Sequence, residues 1–383
     1  MISDFDIANV KGASKRVLIV AGEASGDLYG GELIREVKKL SSDVVFYGVG
    51  GKKMREAGLV CAVRTEDLTV VGLFEVIKHI GPIKRALSLL KDTMSEINPD
   101  LVVLIDFPDF NFRVAKSAKK AGIPVFYYIS PQVWAWRKGR VRTMAKLIDK
   151  MIVIFPFEME IFKEAGIDVD FLGHPLMDVI SAVEGNLVKE ERKGIKVALL
   201  PGSRIGEIKR HMRPLLGAGE IIKERYPDAS FVVPVAPTLA LEEISSYLDG
   251  SKISVDVKED SFQQVVKSAD IALVSSGTAT IETALLGTPM VVIYRLNPLT
   301  YILARLLIRV DYIAMVNLVA GRLVVPELIQ GDVTAENVAG CALEILESKE
   351  LIKKMREDLL EVRGKIGNPG ASKRVAERIM QFL

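Results

Sequence analysis

Leu200-Pro201-Gly202-Ser203-Arg204-Ile205-Gly206-Glu207 follows the apolar run Val197–Leu200 and leads into a helical pattern. Ser275-Ser276-Gly277-Thr278-Ala279-Thr280-Ile281-Glu282 repeats that arrangement after Ile271–Val274. Both put small residues and hydroxyls at a strand-to-helix turn, where unpaired backbone N–H groups and the positive end of the helix dipole hold phosphate. Arg204 adds a fixed cation with a forked donor set, and Glu282 lies one helical turn in. Two such turns in one half of an α/β chain point to a nucleotide-diphosphate site. Its candidate contacts are Gly202, Ser203, Arg204, Ser276, Gly277, Thr278, Ala279 and Glu282.

Outward from these turns, strands read at Lys196–Leu200, Ser230–Val235, Ser254–Val257, Ile271–Val274 and Met290–Tyr294. The N-terminal half has the same rhythm, with strands at Arg16–Ala21, Val44–Tyr47, Leu101–Ile105, Val125–Ile129 and Met151–Phe155. Continuous apolar strands alternating with helices mean parallel sheets covered on both faces. The fold class is therefore α/β, with two doubly wound Rossmann-like domains facing across a cleft at the C-terminal ends of their strands. Gly173-His174-Pro175 marks a hinge. The expected domains are 1–173, facing acceptor and membrane, and 174–349, holding the nucleotide sugar. Helices of about 350–383 pack on the first domain or swap to a partner.

Composition narrows the function classes. Lys and Arg number 51 against 49 Asp and Glu, a net charge of +2, which gives no bulk electrostatic case for nucleic acid. Two distant cysteines, Cys61 and Cys341, argue against a disulfide or zinc framework and fit a reducing cytoplasm. Residues 1–15 lack the apolar core of a secretory signal, and no run of about 18 uninterrupted apolar residues suggests a span. The positive mean hydropathy leaves room for a protein lying on a membrane. Leu68–Ile77, with Lys78, His79, Lys84 and Arg85 behind it, and Tyr301–Tyr312 each read either as an interfacial segment or as an ordinary core helix.

Other candidates sit at strand ends. Asp106 and Asp109 follow Leu101–Ile105; each reads as a general base or as a cap for the next helix. Gly22-Glu23-Ala24-Ser25-Gly26-Asp27 is a glycine-rich turn but not a dinucleotide fingerprint. Glu23 and Ser25 meet a sugar, or Ser25 or Asp27 simply caps a helix. In Ser130–Arg137, Trp134, Trp136 and Arg137 form an apolar wall with a cationic edge, or pack a core. Asp168-Val169-Asp170 matches a metal-binding pattern but reads better as a solvated strand edge, and no other cluster has metal-ligand spacing. Of three histidines, His174 lies at the hinge near the cleft, and His79 and His211 read as surface residues. Arg295 follows the last strand. Asn317, flanked by apolar residues, bonds either backbone or a ligand.

Taken in order, AGEASGD at 21–27, GVGG at 48–51, IDFPDFN at 105–111, SPQVWAWR at 130–137, GHP at 173–175, LPGSR at 200–204, SSGTATIE at 275–282 and VNLVAGR at 316–322 resemble the lipid-A-disaccharide synthase family along nearly the whole chain. The resemblance implies a GT-B fold and an inverting, metal-independent glycosyltransferase that needs no cofactor. Its donor would be UDP-2,3-diacylglucosamine and its acceptor 2,3-diacylglucosamine 1-phosphate, giving a β-1,6-linked disaccharide 1-phosphate and UDP. The family's base candidate matches Asp106, and its sensitive arginine and asparagine match Arg204 and Asn317. The proline usual before that asparagine is Val316 here. The resemblance also implies a cytoplasmic protein peripheral on the inner face of the cytoplasmic membrane, and in some members a swapped homodimer. The readings left beside it are a GT-B enzyme using UDP-N-acetylglucosamine, either a peptidoglycan transferase or a 2-epimerase, and a non-catalytic lipid-binding protein.

Overall fold

The computed structural model describes residues 7–68, 75–131, 138–185, 193–235, 239, 241–259, 261–307 and 310–383. The chain forms two compact units. One runs to Asp178 and is completed by Asn368–Leu383; the other spans Val179–Gly367.

In the first unit, α1 (Ile7–Gly12) precedes β1 (Lys15–Ala21), α2 (Ala24–Leu40), β2 (Val44–Gly50), α3 (Lys52–Glu56), β3 (Val60–Arg64), α4 (Glu75–Ile97) and β4 (Leu101–Ile105). There follow α5 (Pro108–Lys120), β5 (Val125–Tyr128), α6 (Lys138–Met144), β6 (Lys150–Val153), α7 (Glu158–Glu164), β7 (Val169–Phe171) and the start of α8 (Leu176–Glu184). The seven strands are parallel in the order β3-β2-β1-β4-β5-β6-β7. Val17–Ala21 and all of β4 are buried, as strands sandwiched between helix layers must be.

The second unit runs β8 (Lys196–Leu200), α9 (Ile205–Arg225), β9 (Ser230–Val235), α10 (Leu241–Leu248), β10 (Val255–Glu259), α11 (Phe262–Ser268), β11 (Ile271–Ser275), α12 (Thr278–Leu285) and β12 (Met290–Tyr294). It continues with α13 (Pro298–Leu307), α14 (Met315–Ala320), β13 (Glu327–Ile329), α15 (Ala335–Glu347) and α16 (Lys349–Lys365). Its six strands are parallel in the order β10-β9-β8-β11-β12-β13.

The division differs from the expected one in two respects. It falls at Asp178, not at 173, and α16 stays in the second unit. Met355, Leu359 and Val362 of α16 are buried, and Arg363 holds Glu184 at 2.7 Å and the Leu285 carbonyl at 2.9 Å. Only α17 (Ala371–Met380), after the break Gly367–Gly370, belongs to the first unit. There it packs on α2. Asp178 caps it, accepting from the N–H groups of Gly370, Ala371 (3.2 Å) and Ser372 (2.8 Å). Among the described residues, no helix is long and apolar enough to cross a membrane. Cys61 and Cys341 are both unbridged.

Candidate functional site

Each sheet reverses its strand order once, between β1 and β4 in the first unit and between β8 and β11 in the second. Open α/β sheets bind ligands in the crevice at such a reversal. Register decides which loops share it. Ala21 pairs with Ile105, so Gly22–Asp27 lies beside Asp106–Asp109; Leu200 pairs with Val274, so Pro201–Arg204 lies beside Ser275–Thr278.

In the first unit, Asp106 and Phe107 both have left-handed backbones, at φ 44° and 48°, and Ile129 after β5 sits at φ 65°. Such conformations cost of order 1 kcal/mol or more each and persist only where the surroundings over-determine them. Here the Asp106 carbonyl accepts from Asn111 Nδ2 and the Tyr127 hydroxyl, both at 2.6 Å. Asn111 Nδ2 also reaches the Ile105 carbonyl at 3.2 Å. The turn thrusts the Phe107 ring against Gly22, where a Cβ would stand 2.2 Å from ring carbons. Gly22 is thus fixed by this contact.

Asp106 is half-buried, at the strand end. Asp109, in the first turn of α5, is largely exposed and paired with Arg140 at 2.7 Å. Glu23 and Ser25 are both half-buried, Glu23 at the N-cap position of α2 and Ser25 in its first turn. Asp27 caps a neighbour instead of its own helix. Its carboxylate takes the N–H groups of Gly51 (2.7 Å), Lys53 (2.9 Å) and Met54 (3.0 Å) at the start of α3. Trp134, Trp136 and Arg137 lie outside the described residues, as do residues 69–74 of the first apolar segment and residues 308–309 of the second.

In the second unit, Gly202 has φ 118°, and a Cβ there would come within 2.3 Å of Glu207 Oε2. Glu207 reaches back from the first turn of α9 to accept the Ser203 N–H at 3.1 Å, and its other oxygen is 3.3 Å from Arg204 Nη1. The Arg204 side chain is 56% exposed. At the partner turn, the Ser276 N–H donates to the Ile293 carbonyl at 2.9 Å and its hydroxyl to the Ile313 carbonyl at 3.1 Å. The N–H groups of Gly277, Thr278 and Ala279 precede the intrahelical ladder of α12 and are the anion-facing type. Burial pushes the half-buried Glu282 carboxyl up to about 7, against the lowering effect of a 2.6 Å hydrogen bond from Gln263.

Two residues tie this crevice together. His211 is fully buried, not a surface residue. Its Nδ1 is 2.9 Å from the Pro201 carbonyl, and its Nε2 accepts the Arg295 N–H at 3.0 Å. This fixes the Nδ1–H tautomer, and burial holds the ring neutral. Arg210 adds a 2.8 Å bond to the Arg295 carbonyl, and the Arg295 side chain is left exposed.

Asn317, expected among the catalytic residues, is completely buried with its bonding satisfied inside the protein. Its Oδ1 accepts from Val324 N–H (2.8 Å) and Val325 N–H (3.0 Å), and its Nδ2 donates to the Val325 carbonyl (2.9 Å) and Glu327 Oε1 (2.7 Å). Glu327 also accepts the N–H groups of Ile313 and Ala314, each at 2.9 Å, capping α14. Asn317 therefore positions the loop whose Ile313 carbonyl holds Ser276. All four of the Asn317 bonds are to groups of the second unit itself.

His174 is buried and accepts the Leu176 N–H at Nδ1 (3.1 Å), and burial pulls its pKa down to about 3. It packs against Tyr29 and Phe155 and is a neutral core residue. The Asp168 and Asp170 carboxylates are neutralised by Lys150 (2.7 and 2.8 Å), and Asp170 also by Arg378 (2.9 Å), leaving an ion-pair cluster at a strand edge. Among the described residues, no group of His, Cys, Asp and Glu has the arrangement to hold a metal.

The lipid-A-disaccharide synthetase family model matches residues 17–379. The lipid-A-disaccharide synthase of Geobacter metallireducens is 45% identical over 375 residues, covering 97% of this chain and 98% of its own. That of Syntrophus aciditrophicus is 46% identical over 376 residues, with the same coverage. Among solved structures, UDP-GlcNAc 2-epimerase from Neisseria meningitidis bound to UDP-GlcNAc aligns with a TM-score of 0.67 at 16% identity, covering 96% of this chain and 100% of its own. The glycotransferase of kitacinnamycin aligns at 0.60 and 16%, with 96% and 99% coverage. At such identities the structural likeness is one of fold. With the family matched end to end and the GT-B fold shared, the chain belongs to the lipid-A-disaccharide synthases, which are glycosyltransferases.

Proposed function

We propose that the chain transfers 2,3-diacylglucosamine from UDP-2,3-diacylglucosamine to the 6-hydroxyl of 2,3-diacylglucosamine 1-phosphate, with inversion and without a metal, on the inner face of the cytoplasmic membrane. The observation that carries this is the placement of two phosphate-type turns at the strand-order reversal of one sheet and of Asp106 at that of the other. Asp106 takes the proton as the acceptor O6 bonds to the donor C1. The bond from C1 to the diphosphate oxygen breaks, and its electron pair leaves with UDP. Arg204 and the N–H groups opening α12 stabilise the charge developing on that diphosphate. Arg295, Glu23, Ser25, Trp136 and Arg137 belong to substrate binding in this reading.

The test is an assay of purified protein with both acylated substrates in EDTA, the product identified by mass. A disaccharide 1-phosphate with UDP supports the proposal. Turnover of UDP-N-acetylglucosamine without acceptor would instead mark an epimerase. Arg204→Ala is expected to lower kcat by about 10²–10³-fold with an unchanged unfolding transition, because the side chain is mostly exposed. Equal loss of kcat and stability would take Arg204 out of the diphosphate site.

Glu282 supplies a pH signature. Ribose hydroxyls donate best to the ionised carboxylate, and burial places its titration at about 7. UDP affinity is therefore expected to rise with pH through that value. The terminal phosphate of UDP titrates at about pH 6 whatever the protein, so the comparison is with Glu282→Gln. Parallel calorimetric profiles for the two proteins would remove Glu282 from ribose recognition.

A further inference from the structure

One peptide group sets the turn at the end of β4. Asp106 and Phe107 are consecutive non-glycine residues in the left-handed region, at φ 44° and 48°. The Asp106 carbonyl belongs to the planar peptide between them. Its direction is therefore tied to ψ of Asp106 and φ of Phe107, and through them to the line along which the Asp106 side chain leaves the backbone. Two donors hold that oxygen at 2.6 Å, Asn111 Nδ2 from α5 and the Tyr127 hydroxyl from β5. The Asn111 amide is shared, because it also serves the Ile105 carbonyl at 3.2 Å. The Tyr127 hydroxyl has a single proton to donate, and it goes to Asp106.

Register explains why a phenol fits this place. Tyr127 pairs with Leu104, so the Asp106 carbonyl lies two residues, roughly 7 Å, farther along the strand. A tyrosine leaning along its strand spans that distance, and a phenylalanine stops one atom short. The sheet ladder gives less support there, with the Asp106 N–H 3.3 Å from the Tyr128 carbonyl. Tyr127 is completely buried. Burial, with the charge of Asp106 behind it, raises its pKa well above that of an ordinary phenol, so it stays a donor throughout the neutral range. A left-handed pair of this kind persists only while its surroundings hold it. We infer that Tyr127 is a positioning residue for sugar transfer, its hydroxyl holding the Asp106 turn so that the carboxylate stands where the acceptor proton is taken. The inference rests on the reading of Asp106 as the base.

Tyr127→Phe in the full chain tests it, alone and combined with Asp106→Asn, with rates taken well below each variant's unfolding transition. A general base works only within hydrogen-bond reach of its proton, and a misplacement of about 1 Å costs up to about 10²-fold. Tyr127→Phe is therefore expected to lower kcat by about 10- to 100-fold and to leave the donor KM and the calorimetric UDP affinity unchanged. The double variant turns over no more slowly than Asp106→Asn alone, because a residue acting through the carboxylate has nothing left to position. Tyr47→Phe makes the same change in another fully buried phenol of the same sheet, one whose charged neighbours are Arg16 and Asp100, and keeps kcat. Losses that multiply in the double variant, or a kcat loss in Tyr127→Phe matched by weakened UDP binding, would overturn the positioning role. So would normal turnover in Tyr127→Phe beside a slow Asp106→Asn, which leaves the base in place. Normal turnover in Asp106→Asn would overturn both.

Discussion

Asp106→Asn is expected to lower kcat for sugar transfer by about 10²–10⁴-fold, the usual worth of a positioned general base, while UDP affinity and the unfolding transition stay unchanged. Asparagine is the informative replacement because Asp106 sits at φ 44° with Phe107 at 48°. Asn tolerates the left-handed region as Asp does, whereas Ala there adds roughly 1–2 kcal/mol of backbone strain. The amide keeps the shape and loses only the basicity. Asp109→Ala is the contrasting variant. It breaks an exposed pair with Arg140 worth about 0–1 kcal/mol and leaves turnover near its original value. Initial rates on the acylated substrate pair measure both. Near-normal turnover in Asp106→Asn would remove Asp106 as the base.

Asn317→Asp is expected to be the most destabilising of the conservative changes in the second unit, by about 3–5 kcal/mol in a urea titration at neutral pH, given one to three for each buried group left unpaired and more where charge is involved. The carboxylate cannot donate to the Val325 carbonyl, and it would stand at hydrogen-bond distance from Glu327, which already accepts at 2.7 Å. Asn317→Ala strands Val324 and Val325 N–H groups instead. In both, activity falls because the loop carrying Ile313 loses its hold and with it the anchor of Ser276. A variant that kept its stability and lost only turnover would show that Asn317 works on substrate directly.

What could be read from the residues, and what could not, follows from range. The buried strands were legible because each is a short continuous apolar run, and the turns behind them carry their own chemistry in small residues and hydroxyls. β3 and β13 were missed because they are sheet-edge strands: Val60–Arg64 is only partly buried and Glu327–Ile329 is half-buried throughout, so neither shows a buried run. Histidine in a helix such as α9 reads as surface unless its partners are known, and those of His211, the Pro201 carbonyl and the Arg295 N–H, are set by tertiary structure. Asn317 announced itself as a polar residue needing partners, but nothing local told Glu327 apart from other acidic residues. Asp27 stood in a recognisable turn, yet it caps the start of α3, which only the pairing of β1 with β2 brings near.

The return of α17 has a consequence for the order in which the chain can be completed. The second unit is continuous, Val179–Gly367, whereas the first is closed only by Asn368–Leu383. A ribosome delivers the seven-stranded sheet first but withholds the helix that packs on α2 until the whole of Val179–Gly367 has been made. The second unit can therefore finish before the first, inverting the N-terminal-first sequence usual in multidomain synthesis. The newborn first unit waits with the α17-contacting side of α2 uncovered and the Asp178 carboxylate without the N–H groups it caps in the finished protein.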